Sequence, residues 1–216
     1  MKTKLIWMLA LVMAVASIAV AQQNPKAMKK EIKKKAVKEA RKEAKRFKKE
    51  GYDIAPGALP MAKQIEKAWM MQYETDEDGY PMYIVASGNS VANTTSAAKL
   101  QATELAKLEL AGSISTQVAA LIESSIANQQ LSREEAASVT KTVAAAKNII
   151  AQELGRTIPL FEIYRDVGDN NVECNVRIAY NSKKAQEVAR QAIKKKLEEE
   201  TDIAHDKLEK LMKWDN

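Results

Sequence analysis

One stretch decides the fold: PMYIVASG at residues 81–88, which leads into an alanine-rich run over residues 94–128. The first part is rich in aromatic and β-branched residues and therefore predicts a strand. The polar sequence SGNS, residues 87–90, predicts a flexible turn that ends the strand. Residues 97–106, AAKLQATELA, have few β-branched residues and no proline, so a long helix should follow.

The apolar face of this predicted helix changes along its length. Two sets of apolar residues lie on nearly opposite sides of a helical wheel: Ala98, Ala102, Leu105 and Leu108 in the first half, and Ile114, Val118, Leu121 and Ile122 in the second. Gly112 and Ser113 stand where the face changes. We expect either a kink there or a second half that is buried on both sides.

A further helix and a β-hairpin follow. The sequence SREE at residues 132–135 is a capping box and predicts a helix that ends near residue 154. Strands are expected at about residues 157–167 and 172–180, joined by a turn at residues 168–171. The second strand alternates strictly, which predicts that one face is buried. That face contains Val172, Cys174, Val176, Ile178 and Tyr180.

Helices are also expected on both sides of this unit. Residues 26–50 and 60–73 have helical spacing of apolar residues, and the latter begins at a proline. Residues 52–54 can add a short edge strand, and residues 76–79 predict a turn. One last helix is expected over residues 183–213.

These elements predict an α+β fold. A small sheet of about three strands, mainly an antiparallel hairpin plus one strand, should pack with one face against long helices, with helical extensions at both ends. The helical crossover allows the first strand to pair in parallel with a hairpin strand. The expected organisation is a signal peptide (1–21), a basic helical lead-in (22–50), a linker with a short helix (51–79), an α+β core domain (80–182) and a C-terminal helix (183–216).

The N-terminal segment is typical of a signal peptide. Lys2 and Lys4 precede an uncharged, mostly apolar run over residues 5–20, which is shorter than the roughly 20 residues needed to span a bilayer. Ala19 and Ala21 provide the small residues that a signal peptidase requires, so cleavage before Gln22 is expected. We therefore predict an exported protein, periplasmic, outer-membrane-associated or secreted, with no transmembrane segment after cleavage.

The positive charge is confined to one segment. The net charge of the chain is +6. Residues 26–50 carry thirteen Lys or Arg and four Glu, whereas residues 51–216 have a net charge of −5. On a helical wheel, one arc of the predicted basic helix contains Lys30, Lys34, Lys38, Arg41, Lys45 and Lys48. These six residues are candidates for binding an anionic envelope surface, and the alternative is a solvated lead-in without a binding role.

No pattern in the sequence predicts catalysis, and we expect no cofactor or metal site. His205 is the only histidine, and a metal site on its helix would need a second His or Cys. Cys174 is the only cysteine and should be a small buried residue. Residues 74–79 imitate the start of a calcium loop, but Val85 stands where the bidentate Glu belongs. Nucleic acid is not expected as a partner, because no aromatic residues interleave the basic arc.

The packing motifs resemble those of one bacterial envelope family. A strand that ends in Gly88-Asn89-Ser90-Val91-Ala92, a helix with alanines at four-residue spacing and a return hairpin are similar to the LPP-type membrane-associated lipoproteins. The fold of that family is related to the N-terminal domain of the flagellar T protein. The similarity covers residues 80–182, and the flanks resemble secreted Bacteroidota-type proteins. It implies an envelope location and no catalytic residues, and the chain lacks the cysteine that such lipoproteins acylate.

The sequence therefore supports two functional hypotheses. The first is an exported, non-enzymatic structural or adaptor component of the cell envelope, with an envelope protein as its partner. The second is a binding module for an anionic envelope polymer or membrane surface, which uses the helix at residues 26–50. The oligomeric state cannot be predicted from the sequence.

Overall fold

The computed structural model describes residues 25–128 and 131–213. The predicted signal peptide and its cleavage site lie outside these residues. Within them the α+β fold is confirmed, with six helices and three strands. The elements are α1 (Pro25–Lys49), α2 (Met61–Gln72), β1 (Tyr83–Ala92), α3 (Thr95–Asn128), α4 (Arg133–Glu153), β2 (Ile158–Gly168), β3 (Asn171–Asn181), α5 (Ser182–Glu200) and α6 (His205–Leu211).

The three strands form one antiparallel sheet in the order β1-β3-β2. The β-hairpin places β3 between its partner β2 and the first strand, so β1 pairs with β3 in an antiparallel register. The parallel pairing that the sequence allowed does not occur, because β3 separates the two strands that run in the same direction. Asp53 adds the expected edge contact to β2 through a single bridge to Tyr164, with N···O distances of 2.7 and 2.8 Å.

Strand β1 continues through the segment predicted as a turn. Ser87 and Gly88 pair with Arg177 and Val176, and the pairing extends to Ala92. The prediction of a turn at residues 87–90 is therefore wrong. Residues 87–90 have a weak strand propensity, but they pair with β3, which is long enough to extend beside them. The stability of a strand depends strongly on such a partner.

Helix α3 is uninterrupted and its buried side rotates along its length. The residues on that side recur every four positions: Ala98, Ala102, Ala106, Leu110, Ile114, Val118 and Ile122. A step of four residues turns about 40° further than one helical turn. The first half therefore faces the sheet and the second half faces α4, without a break at Gly112. Leu105 was expected in the stripe, but it is 47% exposed.

Two helical layers enclose the sheet. Cys174, Val176 and Ile178 are buried with residues of α3 on one face, as the alternation in β3 predicts. On the other face, Phe161 and Ile163 of β2 are buried with residues of α1 and α2. The sequence predicts only one helical layer, because the residues of β3 on this second face are polar. The apolar residues on this face come from β2.

The last predicted helix is two helices. Residues 201–204 separate α5 from α6, and Ile203 is buried in the core. Leu208, Leu211 and Met212 of the α6 region are buried in the same cluster. The predicted single helix over residues 183–213 is therefore wrong at residues 201–204, where the chain leaves the helix and Ile203 enters the core.

The predicted turn and cap chemistry is present. Asp169 and Asn170 have φ values of 50° and 55°, the left-handed conformation that a two-residue hairpin turn requires. Ser132 and Glu135 form the capping box at the start of α4, with the Ser132 side chain accepting from the Glu135 N–H at 3.1 Å. Glu135 also contacts Lys207 Nζ at 3.0 Å, which ties α4 to α6.

By length and composition, α3 is also the one helix among the described residues that could cross a membrane. This is weak evidence, since the core helices of many proteins meet the same criterion.

Candidate functional site

The candidate site is the exposed face of α1. All six residues predicted from the sequence are exposed to solvent: Lys30, Lys34, Lys38, Arg41, Lys45 and Lys48. The opposite side of the helix is buried through Ala36, Ala40, Ala44 and Phe47. The division into a buried alanine side and an exposed basic side follows directly from the spacing of the two residue classes.

The basic face contains one exposed carboxylate, Glu31, and its charge is strongly positive in sum. None of the six residues forms an ion pair with a described carboxylate, whereas Arg46 pairs with Glu43 and Glu50. Glu43 is turned inward, where its carboxylate lies 3.3 Å from Arg177 and accepts a hydrogen bond from Trp69. Glu43 is thus engaged in holding α1 in place and does not balance the charge of the basic face.

The basic face is longer and wider than the predicted arc. Lys30 and Lys48 are eighteen residues apart, which corresponds to about 27 Å along the helix axis. Lys35 and Lys42 are also exposed and extend the face around the helix. Sequence reasoning omitted them because their exposure depends on how much of α1 its neighbours cover. A groove along the face is lined by Lys34, Val37, Lys38, Arg41, Lys42 and Lys45.

The folded domain holds α1 rigidly. The ring centroids of Phe47 and Tyr52 are 5.5 Å apart, and those of Phe47 and Phe161 are 5.8 Å apart. The α1 residues Ala40, Ala44 and Phe47 share one core cluster with β2. Deletion of residues 26–50 would uncover this cluster. Substitution of the exposed charges is therefore the cleaner test of what the basic face does.

A polar cluster joins the sheet to the turn that follows α1. Glu173 is 8% exposed, and its carboxylate pairs with Arg165 and accepts from Asn89 Nδ2 at 2.7 Å. The Arg165 guanidinium lies 4.7 Å from the centre of the Tyr52 ring and donates to the Glu50 carbonyl. Burial opposes ionisation of Glu173, but hydrogen bonds from Asn89, Arg165 and Tyr52 outweigh it and lower the pKa of this carboxyl. The carboxylate is thus a structural anion.

This cluster predicts a pH-dependent stability. Because the pKa of Glu173 is lower in the folded chain than its unfolded value of about 4.3, the carboxylate stabilises the fold above that value. The contribution is lost as the pH falls through the folded pKa. Glu173→Gln should lower the free energy of unfolding by about 1–2 kcal/mol at pH 7. Urea unfolding at pH 7 and pH 3 measures the difference, which should shrink at pH 3.

The control is Glu77→Gln, which changes an exposed carboxyl in the turn at residues 76–79. It should have little effect at either pH. A loss from Glu173→Gln that is the same at both pH values would contradict the role assigned to the ionised carboxylate.

The other polar side chains singled out in the sequence are buried or contact their neighbours in the fold. Cys174 is fully buried, and burial raises the pKa of its thiol to about 11, so it is protonated at neutral pH. The exposed His205 ring nitrogens lie 3.6 Å from carboxylate oxygens of Glu198 and Glu209. The Asp76 side chain accepts from backbone N–H groups of its own turn. Among the described residues, no group of His, Cys, Asp and Glu could hold a metal ion.

No protein family, curated protein or solved structure was found to match the chain. The similarity to LPP-type lipoproteins therefore stays a prediction from the packing motifs.

Proposed function

We propose that this chain is an exported, non-enzymatic component of the cell envelope that attaches to an anionic envelope surface through the basic face of α1. One observation carries the proposal: six basic side chains are exposed without a described carboxylate partner on a helix whose other side is buried. Surface helices usually intersperse both signs of charge, since a single-sign face repels itself and favours counter-ions or an anionic partner.

The structural or adaptor hypothesis is compatible with this attachment. The rest of the domain, which is net acidic, would face away from the anionic surface and remain available to an envelope protein. Periplasmic, outer-membrane-associated or secreted residence depends on the predicted signal peptide and belongs to the same proposal. A solvated lead-in is less favoured, because a helix without a role needs neither a buried packing side nor a strong excess of positive charge on its exposed side.

Charge reversal on the basic face tests the proposal. The combined variant Lys34→Glu, Lys38→Glu, Arg41→Glu should release the protein from native envelopes at low salt. Each basic residue near an anionic surface contributes roughly 1 kcal/mol, and three reversals replace attraction with repulsion. The wild type should dissociate as salt rises, since the screening length falls to about 3 Å at 1 M salt. Washing envelopes through a salt series and measuring the protein retained gives both results.

A matched variant separates the face from the total charge. Lys184, Lys195 and Lys210 are exposed on α5 and α6. Their combined reversal to Glu changes the net charge by the same amount, and it should leave attachment almost unchanged. If the two triple variants and the wild type are retained equally at every salt concentration, the basic face has no binding role.

A further inference from the structure

The basic face is bordered by an aromatic pair. The rings of Trp69 and Tyr73 are stacked, with centroids 5.5 Å apart and an interplanar angle of 23°. Trp69 is half-buried and donates its indole N–H to Glu43 at 3.1 Å. Tyr73 is 48% exposed. The buried neighbour thus fixes the orientation of the exposed ring, which needs no reordering to receive a ligand.

The aromatic pair and the cations meet at one point of α1. Trp69 and Tyr73 line a small cavity together with Ile32, Lys35 and Ala36. Lys35 is exposed, so a cation and the exposed aromatic ring line the same cavity. A ligand in this cavity could contact a positive charge and the apolar face of an aromatic ring at the same time.

The shape of the helix decides which ligand can use both features. Consecutive residues are about 100° apart around a helix axis. Ala36, which lines the cavity beside the aromatic pair, therefore lies nearly opposite Lys34 on α1. Lys35 lies about 100° from each of them. A flat bilayer that contacts Lys34 faces away from Tyr73. A flexible chain can pass from Tyr73 over Lys35 to the centre of the basic face.

Resting on the proposed function, we infer that the anionic partner is a linear acidic polysaccharide, which Tyr73 receives through a sugar ring and the α1 cations hold through its negative groups. Such a polymer complements both features of the site. Its sugar rings have apolar faces that can stack on Tyr73, and its acid groups are negatively charged. A bilayer offers its charges in one plane. The basic arc also lacks a large apolar side chain for insertion, since Val37 at its margin is half-buried.

Alginate, a linear polymer of uronic acids, is the probe for this inference. Wild-type protein should bind immobilised alginate and not dextran, a neutral glucose polymer. Tyr73→Ala should weaken the affinity for alginate about 2- to 10-fold, the range that aromatic contacts usually contribute. Tyr73→Phe keeps the ring and should stay within 2-fold of the wild type. Tyr80→Ala, which removes another exposed tyrosine, should have no effect.

Binding to lipid vesicles distinguishes the polysaccharide inference from the proposed function. Vesicles of phosphatidylglycerol and phosphatidylcholine are mixed with the same variants, and thermal unfolding checks that each variant is folded. Binding to vesicles without binding to alginate would overturn the polysaccharide inference and leave the proposed function standing. Alginate affinity that is unchanged in Tyr73→Ala, or vesicle binding that falls equally in that variant, would also overturn it. Failure to bind either probe would count against both.

Discussion

Gly88→Ala is expected to be among the most destabilising single-methyl changes in this protein. A Cβ atom at Gly88 would lie 2.0 Å from the Ala102 carbonyl oxygen and 2.6 Å from the Ala106 nitrogen. Both atoms belong to the backbone of α3, so no rotamer change relieves the overlap. Overpacking usually costs 1–3 kcal/mol, and a backbone collision should reach about 3 kcal/mol or more. The melting temperature should fall by roughly 6–12 °C.

Two other glycines provide controls for Gly88→Ala. A Cβ atom at Gly112 would lie 3.4 Å from the end of the Lys147 side chain, which can move, and one at Gly155 would meet nothing within 4 Å. Gly112→Ala lies inside a helix and should be neutral or stabilising by up to about 1 kcal/mol. Equal melting temperatures for the variants at Gly88 and Gly112 would show that α3 does not approach β1 as closely as the structure indicates.

Val176→Asp is expected to destabilise the domain by about 3–5 kcal/mol. Val176 is 3% exposed and lies in the main core cluster. Its cross-strand neighbours are Gly88 on one side and Glu162 on the other, so a new carboxylate would be buried next to an existing one. Urea unfolding gives the free energy change. The upper end of this loss equals the lower end of the stability of typical domains, which is about 5–15 kcal/mol.

Asn175→Asp adds the same charge one residue away and is the matched control. Asn175 is half-buried on the other face of β3. Glu173 and Arg177 lie two residues away on either side, so repulsion from one is offset by attraction to the other. The cost should be below about 1 kcal/mol. If the two substitutions shift the melting temperature equally, the assignment of faces in β3 is wrong.

The candidate site shows how far residue patterns reach. The spacing of Lys34, Lys38 and Arg41 against Ala36 and Ala40 places the charges on one side of a helix without any tertiary information. The same spacing could not predict how closely other elements pack against the alanine side of α1. Alanines are weakly hydrophobic, and the residues that pack against them come from α2 and from β2, which is more than a hundred positions further along the chain.

The aromatic border required the tertiary structure entirely. Tyr73 and Lys35 are separated by the second half of α1, a connecting segment and α2. Each by itself is an ordinary exposed side chain at the end or on the side of a helix. Their proximity results from the packing of α2 on α1, which no local pattern encodes.

Local patterns by themselves determined the helices, the hairpin and the inner face of β3, because capping boxes, turn residues and alternation act between near neighbours. Only the tertiary structure decided the length of β1, the break before α6 and the second helical layer. Gly88 pairs in a strand because β3 is alongside it, and Ile203 is buried in the core at the break between α5 and α6. In these three places, contacts between residues distant in sequence stabilise the observed structure. Their free energy exceeds the small local conformational preferences that oppose it.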